Sequence, residues 1–195
     1  MFVTETMKFK DIKENERFFD LNMIEYIKDL VDAGVTSFKI EGRMKSPYYV
    51  ATITNAYKRA IDDFQSNKPF DKTLLEEVEK TSHRRYTTGF YFGAKDKEYI
   101  QDSMPVQSYD FIAIVKENAQ NGYVKIEQRN RFKIGDELEV LSPGDCFNKI
   151  IKVTEMYDEN NQLIEDASLV QQILSLKTDL NLKTGDILRK KNNQE

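Results

Sequence analysis

The spacing of apolar residues changes period about half-way along this chain, and that change limits what it can fold into. Up to about residue 80, apolar positions recur every three or four residues: Met23, Ile24, Ile27, Leu30 and Val31 in one stretch, Val50, Ile53, Tyr57, Ala60, Ile61 and Phe64 in another. Such spacing lines one face of a helix. From Tyr109 onward the apolar residues alternate in short runs, as half-buried strands require. Two domains follow, a helical α/β segment over 1–100 and a β domain over 101–195. The boundary falls near 95–107, where the chain is polar and contains Pro105. The fold class is α+β.

In the first domain Asp20 is expected to cap a helix that ends at Ala33-Gly34. Val35 to Ile40 is short, β-prone and followed by a glycine, and reads as a strand. Ser46 suits an N-cap, with Pro47 at the first helical position, where its missing N–H costs nothing. SNKP breaks this helix, and Asp71 to Lys80 reads as another short one. One strand makes no sheet, and residues 1–80 offer no strong second strand. This half therefore reads as a piece of a larger α/β fold, or as a segment that docks on other strands. Its exposed apolar surface predicts self-association, a homo-oligomer through the α/β half.

In the second domain Tyr109–Lys116, Gly122–Gln128, Asp136–Leu141, Lys149–Met156, Gln172–Thr178 and Asp186–Lys190 read as strands. Turn signals separate them, including Asn121-Gly122, Pro143-Gly144-Asp145 and Asn160-Asn161. Six short strands at regular spacing predict a small closed or nearly closed antiparallel β-barrel. Gly-Asp-x-Leu occurs twice, in FKIGDELEVL and in LKTGDILRK, each turning the chain into a strand.

Composition removes several chemistries. There is one cysteine, Cys146, so neither an internal disulfide nor a cysteine cluster for zinc or iron–sulfur can form, and no metal site is expected. No apolar run is long enough to span a bilayer and the N-terminus has no apolar signal core, so a cytoplasmic protein with no membrane partner is expected. P-loop, GxGxxG, HExxH, CxxC and GxSxG motifs are absent. The one histidine, His83, is flanked by Arg84 and Arg85, which oppose its protonation and make it a poor general base. The net charge of −4 argues against a blanket nucleic-acid coat, but KTSHRR (80–85) and KIEQRNRFK (125–133) are locally basic. Arg84, Arg85, Tyr86, Arg129, Arg131 and Lys133 are the candidate RNA contacts. For most of the aromatics in HRRYTTGFYFG, core packing between the two halves is the favoured reading. The best candidate for an active-site rim is EGRMKSP, just past the expected strand: Arg43 and Lys45 suit phosphate or carboxylate, and Glu41 accompanies them. A structural ion pair between Glu41 and Arg43 explains the same residues equally well.

FKIEGRMKSPYYVATITNAYKRAIDDF, followed by RRYTTGFYFG and a β-rich tail, resembles the collagenase-like peptidases of bacteria, peptidase family U32. The likeness runs from about Asp20 onward. It implies an N-terminal half that is the edge of a TIM-like barrel and a tail similar to the second domain of translation elongation factors. It implies that longer relatives work in tRNA or rRNA nucleoside hydroxylation, with an iron–sulfur cluster and prephenate. The cluster's cysteines belong to a part not found here, and Asn22 stands where many relatives carry a cysteine, so no cofactor is expected on this chain. On this resemblance the chain is a substrate-positioning or structural part of a hydroxylation protein, with RNA as partner, and not catalytic alone. The alternatives are part of a genuine protease and a non-catalytic interaction module.

Overall fold

The computed structural model describes residues 6–7, 19–92 and 106–192. The readings of the N-terminal stretch, and most of the 95–107 boundary, fall outside the described residues. The chain divides into two compact units, 1–107 and 108–195.

The first unit holds β1 (Thr6–Met7), β2 (Phe19–Leu21), a 3-10 turn (Ile24–Tyr26), α1 (Ile27–Asp32), α2 (Pro47–Gln65), α3 (Thr73–Glu79) and β3 (Tyr86–Thr87). β1 pairs antiparallel with β2, and β2 pairs parallel with β3 through Asp20 opposite Tyr86 and Leu21 opposite Thr87. The start of α2 is as expected: Pro47 opens it and Ser46 Oγ accepts from Tyr49 N at 3.2 Å. Its buried face carries Tyr49, Ile53, Ala56, Tyr57 and Ala60 against Ile24, Ile27, Leu74 and Val78. Burying a side chain the size of Ile53 contributes about 2 kcal/mol.

Four expectations for this unit need correction. Asp20 is not a helix cap but a residue of β2; Asn22 Oδ1 accepts from Ile24 N at 3.1 Å in an Asx turn ahead of the 3-10 turn, whose N-cap is Met23. Val35–Ile40 is in no strand. Its residues Val35, Phe38 and Ile40 pack on the helices, a use of apolar side chains that needs no ladder. The parallel partner that the α/β rhythm demanded is supplied by β2 and β3, each too short to show an alternating pattern. Val50 is 40% exposed rather than on the buried face of α2.

The second unit is a curled antiparallel sheet of eight strands, with a two-stranded pair beside it. Its strands are β4 (Tyr109–Gln120), β5 (Tyr123–Gln128), β6 (Phe132–Lys133), β7 (Glu137–Leu141), β8 (Ile150–Lys152), β9 (Met156–Tyr157), β10 (Leu163–Ile164), β11 (Asp166–Ala167), β12 (Ile173–Lys177) and β13 (Ile187–Lys191). The sheet order is β10-β9-β12-β5-β4-β13-β7-β8, and β6 pairs with β11. Among the described residues the order is linear, with β10 and β8 at its ends, so the sheet is open rather than a closed barrel. The expected strand 149–156 is two pieces, β8 and β9. β6, β10 and β11 went unseen because two residues carry no period. One core fills the concavity, with Ile126, Phe132, Leu138, Met156, Leu176 and Leu188 fully buried.

The turns explain the register. Asn121 and Gly122 both have positive φ, 52° and 81°, the geometry that a two-residue hairpin between β4 and β5 demands. The two Gly-Asp copies build the same device. Gly135 and Gly185 sit at φ 93° and 94°, where a side chain would be strained. Asp136 Oδ2 accepts from Lys133 N at 2.9 Å and Asp186 Oδ2 from Lys183 N at 2.8 Å. Each aspartate's carbonyl then receives a neighbouring strand's N–H, from Val153 and from Val115, both at 2.8 Å.

Two polar clusters hold the sheet unit. Arg189, wholly buried, donates through Nε to Glu139 Oε1 at 2.8 Å and through its second terminal nitrogen to Asn148 Oδ1 at 2.7 Å, and lies 5.6 Å from the centroid of the Tyr109 ring. Glu155 receives Tyr123 Oη at 2.5 Å and both Tyr157 Oη and Lys177 Nζ at 2.8 Å.

Removing one partner of a buried charge pair leaves the other uncompensated. Arg189→Met is therefore expected to lower the urea midpoint by the equivalent of about 3 kcal/mol, and adding Glu139→Leu to recover part of that loss. The donors on Glu155, Lys177 first and then the two tyrosines, hold its carboxyl down at about 2 against an ordinary 4.5. A carboxyl depressed in the folded state stabilises above its unfolded value and loses that contribution as pH falls through the folded one. Thermal melts should show the wild type losing more Tm than Glu155→Gln between pH 5 and pH 2.5.

Candidate functional site

β2 and β3 run parallel, so their carboxyl ends lie side by side, and Asn22 N donates to Thr87 O at 2.9 Å just past them. A cleft of about 410 Å³ opens at those ends, lined on one side by Asn22, Glu25 and Tyr26 and on the other by Glu79, Tyr86, Thr87, Thr88 and Phe92. The crevice outside the carboxyl ends of parallel strands is where α/β folds place ligands, because side chains and loop amides converge there without breaking a ladder.

Buried polar groups fix the floor and walls. Asp20 is 5% exposed, and its Oδ2 accepts from Lys45 Nζ at 3.2 Å and from Arg84 N at 3.1 Å. Asp20 N in turn donates to Arg85 O at 3.2 Å. Tyr57 Oη accepts from Met23 N at 2.9 Å and donates to Asn22 Oδ1 at 3.0 Å. Tyr86 Oη donates to Val78 O at 3.0 Å, and its ring stacks on His83 with centroids 4.3 Å apart. Burial pushes both phenols, Tyr57 and Tyr86, well above their ordinary value, so both stay neutral. The ring of Phe92 lies 4.4 Å from that of Tyr26 at 41°.

The candidate rim residues separate. Glu41 pairs with Lys39 and, at 3.5 Å, with Arg43, and the Lys39 hydrogen bond is the first cause holding its carboxyl below the ordinary range. The Arg43 side chain is 88% exposed. Lys45 turns the other way, onto Asp20 and Ser82 O (3.4 Å) and 4.9 Å from the centroid of the Tyr49 ring. Gly42 lets the loop run close to α2: a Cβ there would stand 2.8 Å from Val50 Cγ2.

The RNA-contact candidates also separate. Arg85 is exposed and Arg84 half-buried beside β3, whereas Tyr86 is a cleft wall. In the sheet unit Arg129 pairs with Glu127, and Arg131 Nε reaches both oxygens of Asp166 at 3.0 and 3.1 Å. Lys133 is exposed, with its backbone N–H on Asp136. A phosphate at Arg129 or Arg131 has to compete with a carboxylate already in place. Phe90, Tyr91 and Phe92 are 63%, 54% and 46% exposed, so this aromatic run is not part of the core of the first unit. Asn22, Glu25, Tyr26, Glu79 and Thr88 were not foreseen as site residues; no spacing rule joins positions nearly seventy residues apart. Cys146 is buried in the sheet core.

The family model described as peptidase family U32 matches residues 10–101, and that of the peptidase family U32 C-terminal domain matches 107–189. The tRNA hydroxylation protein P1 of Bacillus subtilis is 32% identical over 177 residues, covering 88% of this chain and 42% of that protein. The tRNA hydroxylation protein P of Haemophilus influenzae is 31% identical over 184 residues, with 87% and 38% covered. A Porphyromonas gingivalis collagenase is 29% identical over 162 residues, with 79% and 38% covered. Among solved structures, the C-terminal domain of a Geobacillus thermoleovorans protein described as a U32 peptidase matches 43% of this chain and 93% of its own length, at 27% identity and TM-score 0.40. The chain spans about two fifths of the length of these curated relatives. With both family models matched in order along it, this chain belongs to peptidase family U32.

Proposed function

We propose that this chain serves tRNA hydroxylation as a substrate-positioning part of a longer protein, in a cytoplasmic setting, and that RNA meets it at the β2–β3 cleft. One observation carries the reading: the exposed aromatic run Phe90, Tyr91 and Phe92 ends at the wall of a cleft at the carboxyl ends of two parallel strands. Aromatic faces hold unpaired bases, and the exposed Arg85 next to β3 adds a cation for the backbone. Two relatives that share most of this chain carry the name tRNA hydroxylation protein, which supports the same direction. The α/β unit as the edge of a TIM-like barrel, and the sheet unit as kin to the second domain of elongation factors, belong to this proposal.

Proteolysis has less support in the residues. His83 Nδ1 lies 2.6 Å from Arg84 O, the residue is 8% exposed, and the Tyr86 ring stacks on it, so it is badly placed as a base. An iron–sulfur cluster does not fit the side chains here. The one thiol is buried in the sheet core, and Asn22, the residue at the cleft, is no cluster ligand. No chemical step is assigned to this chain.

Fluorescence anisotropy with a labelled anticodon stem-loop at two salt concentrations tests the reading. Binding should weaken with salt. Phe92→Ala should cost about tenfold in affinity, the loss of one stacked base. Arg85→Ala should reduce the salt slope by about one, while Arg129→Ala and Arg131→Ala leave affinity nearly unchanged. Absence of affinity at low salt would remove RNA positioning as the role of this chain.

A further inference from the structure

β8 and β10 stand at the two ends of the eight-stranded sheet, yet they reach the same turn. Gly135 N donates to Val153 O, just past β8, at 2.8 Å, and Ile134 N donates to Glu165 O, just past β10, at 2.9 Å. On β8 the ladder toward β7 uses Lys149 O, which accepts from Val140 N at 2.9 Å, and Val153 N, which donates to Asp136 O at 2.8 Å. Backbone groups alternate in direction along an antiparallel strand, so the N–H and C=O of Ile150 and Lys152 are directed to the open side. On β10 the same alternation holds. Asp158 N donates to Gln162 O at 3.0 Å, and Leu163, next along and opposite Tyr157, has its backbone groups directed outward. An open ladder is a template for another chain.

The two edges carry opposite charge. Lys149 and Lys152 are exposed on the β8 side, with Ile150 between them 52% exposed. Glu159 and Glu165 are exposed on the β10 side, with Leu163 between them 64% exposed. None of these four charges is in an ion pair among the described residues. Asp158 adds to the acidic side, its Oδ1 accepting from Asn160 N at 2.9 Å and Gln162 N at 2.8 Å. Glu137, opposite Lys152 in the ladder, and Lys133, opposite Asp166, temper the contrast, while Arg131 is held by Asp166. The β8 edge stays basic and the β10 edge acidic.

Charge decides which edge can meet which. β8 against β8 of a second copy opposes lysines to lysines, and β10 against β10 opposes glutamates to glutamates. β8 against β10 brings lysines to glutamates and the exposed Ile150 to the exposed Leu163. Both edges flank one turn, so a two-fold axis through that region makes this contact twice, and the assembly closes at two copies. We infer that this chain forms a symmetric homodimer through the open β8 and β10 edges of its sheet unit, the basic edge of each copy lying on the acidic edge of the other. The dimer uses neither the β2–β3 cleft nor the Phe90–Phe92 run, and it stands or falls independently of the RNA reading. It also places self-association in the sheet unit rather than in the α/β half.

Sedimentation velocity of the whole chain, over a range of protein concentrations and at low and high salt, tests it. The wild type should sediment as a dimer at low salt and dissociate as salt rises. Lys149→Glu with Lys152→Glu makes both edges acidic, and Glu159→Lys with Glu165→Lys makes both basic. Each of these variants alone should dimerise at least about tenfold more weakly than the wild type. Mixed in equal amounts, the two should form a heterodimer, because each offers the sign that the other lacks. A chain with all four reversals should again dimerise with itself. Rescue by mixing separates lost complementarity from lost folding, and all four side chains are exposed, so melting temperatures should match the wild type. A monomeric wild type, a dimer indifferent to salt, reversal variants that dimerise like the wild type, or a mixture that stays monomeric overturns the inference. So does assembly that grows past the dimer with concentration, the sign of a contact that does not close.

Discussion

A single buried carboxylate organises the first unit. Asp20 holds the ammonium of Lys45 and the backbone N–H of Arg84 on one oxygen, and its own N–H enters the carbonyl of Arg85. A buried charge is tolerable only when paired and hydrogen-bonded, and these partners come from segments far apart in the chain. The loop ahead of α2, the β2 strand and the approach to β3 are thereby fastened to one point. The parallel register of β2 and β3 follows from it, and so does the cleft past their ends. Lys45 has an inward structural task here, and the rim that the EGRMKSP loop presents to solvent is left to the Glu41 and Arg43 pair.

Much of the architecture was legible because periodicity reports burial. The α2 helix, with Ser46 and Pro47 at its start, and the long strands β4, β5, β12 and β13 could be read from spacing and turn residues. The failures have a common cause. Strands of two or three residues, such as β2, β3 and β9, carry no period, and their existence depends on partners that no local rule names. Val35–Ile40 shows the converse error: its β-prone, half-apolar pattern is satisfied by packing on helices.

The candidate site was less legible than the fold. Charge drew attention to Glu41, Arg43, Arg129 and Arg131, yet all four are in ion pairs with neighbours on the same unit. Positions that line the cleft are polar but unremarkable in sequence, and Asn22 stood out only as a departure from relatives. Its meaning lies in two hydrogen bonds from Ile24 and Tyr57 that become visible once α2 is packed. The exposed aromatics Phe90 to Phe92 were ambiguous in sequence for a related reason: density of aromatic residues signals either a core or a binding surface, and only exposure separates them.

The twin Gly-Asp turns bear on how the sheet unit assembles. Each closes a four-residue turn from Lys to Asp, so each can form early, at almost no loop-closure cost, and start β7 and β13 in the correct phase. The ladder that joins β13 to β4 is of another kind: it brings Ile187 to Ile114 across most of the unit. Local turns therefore set phase, and one long-range pairing sets the pace of folding. Until that pairing forms, the edges of β4 and β13 are open to other chains, so the interval before sheet completion is when this unit is exposed to misassembly.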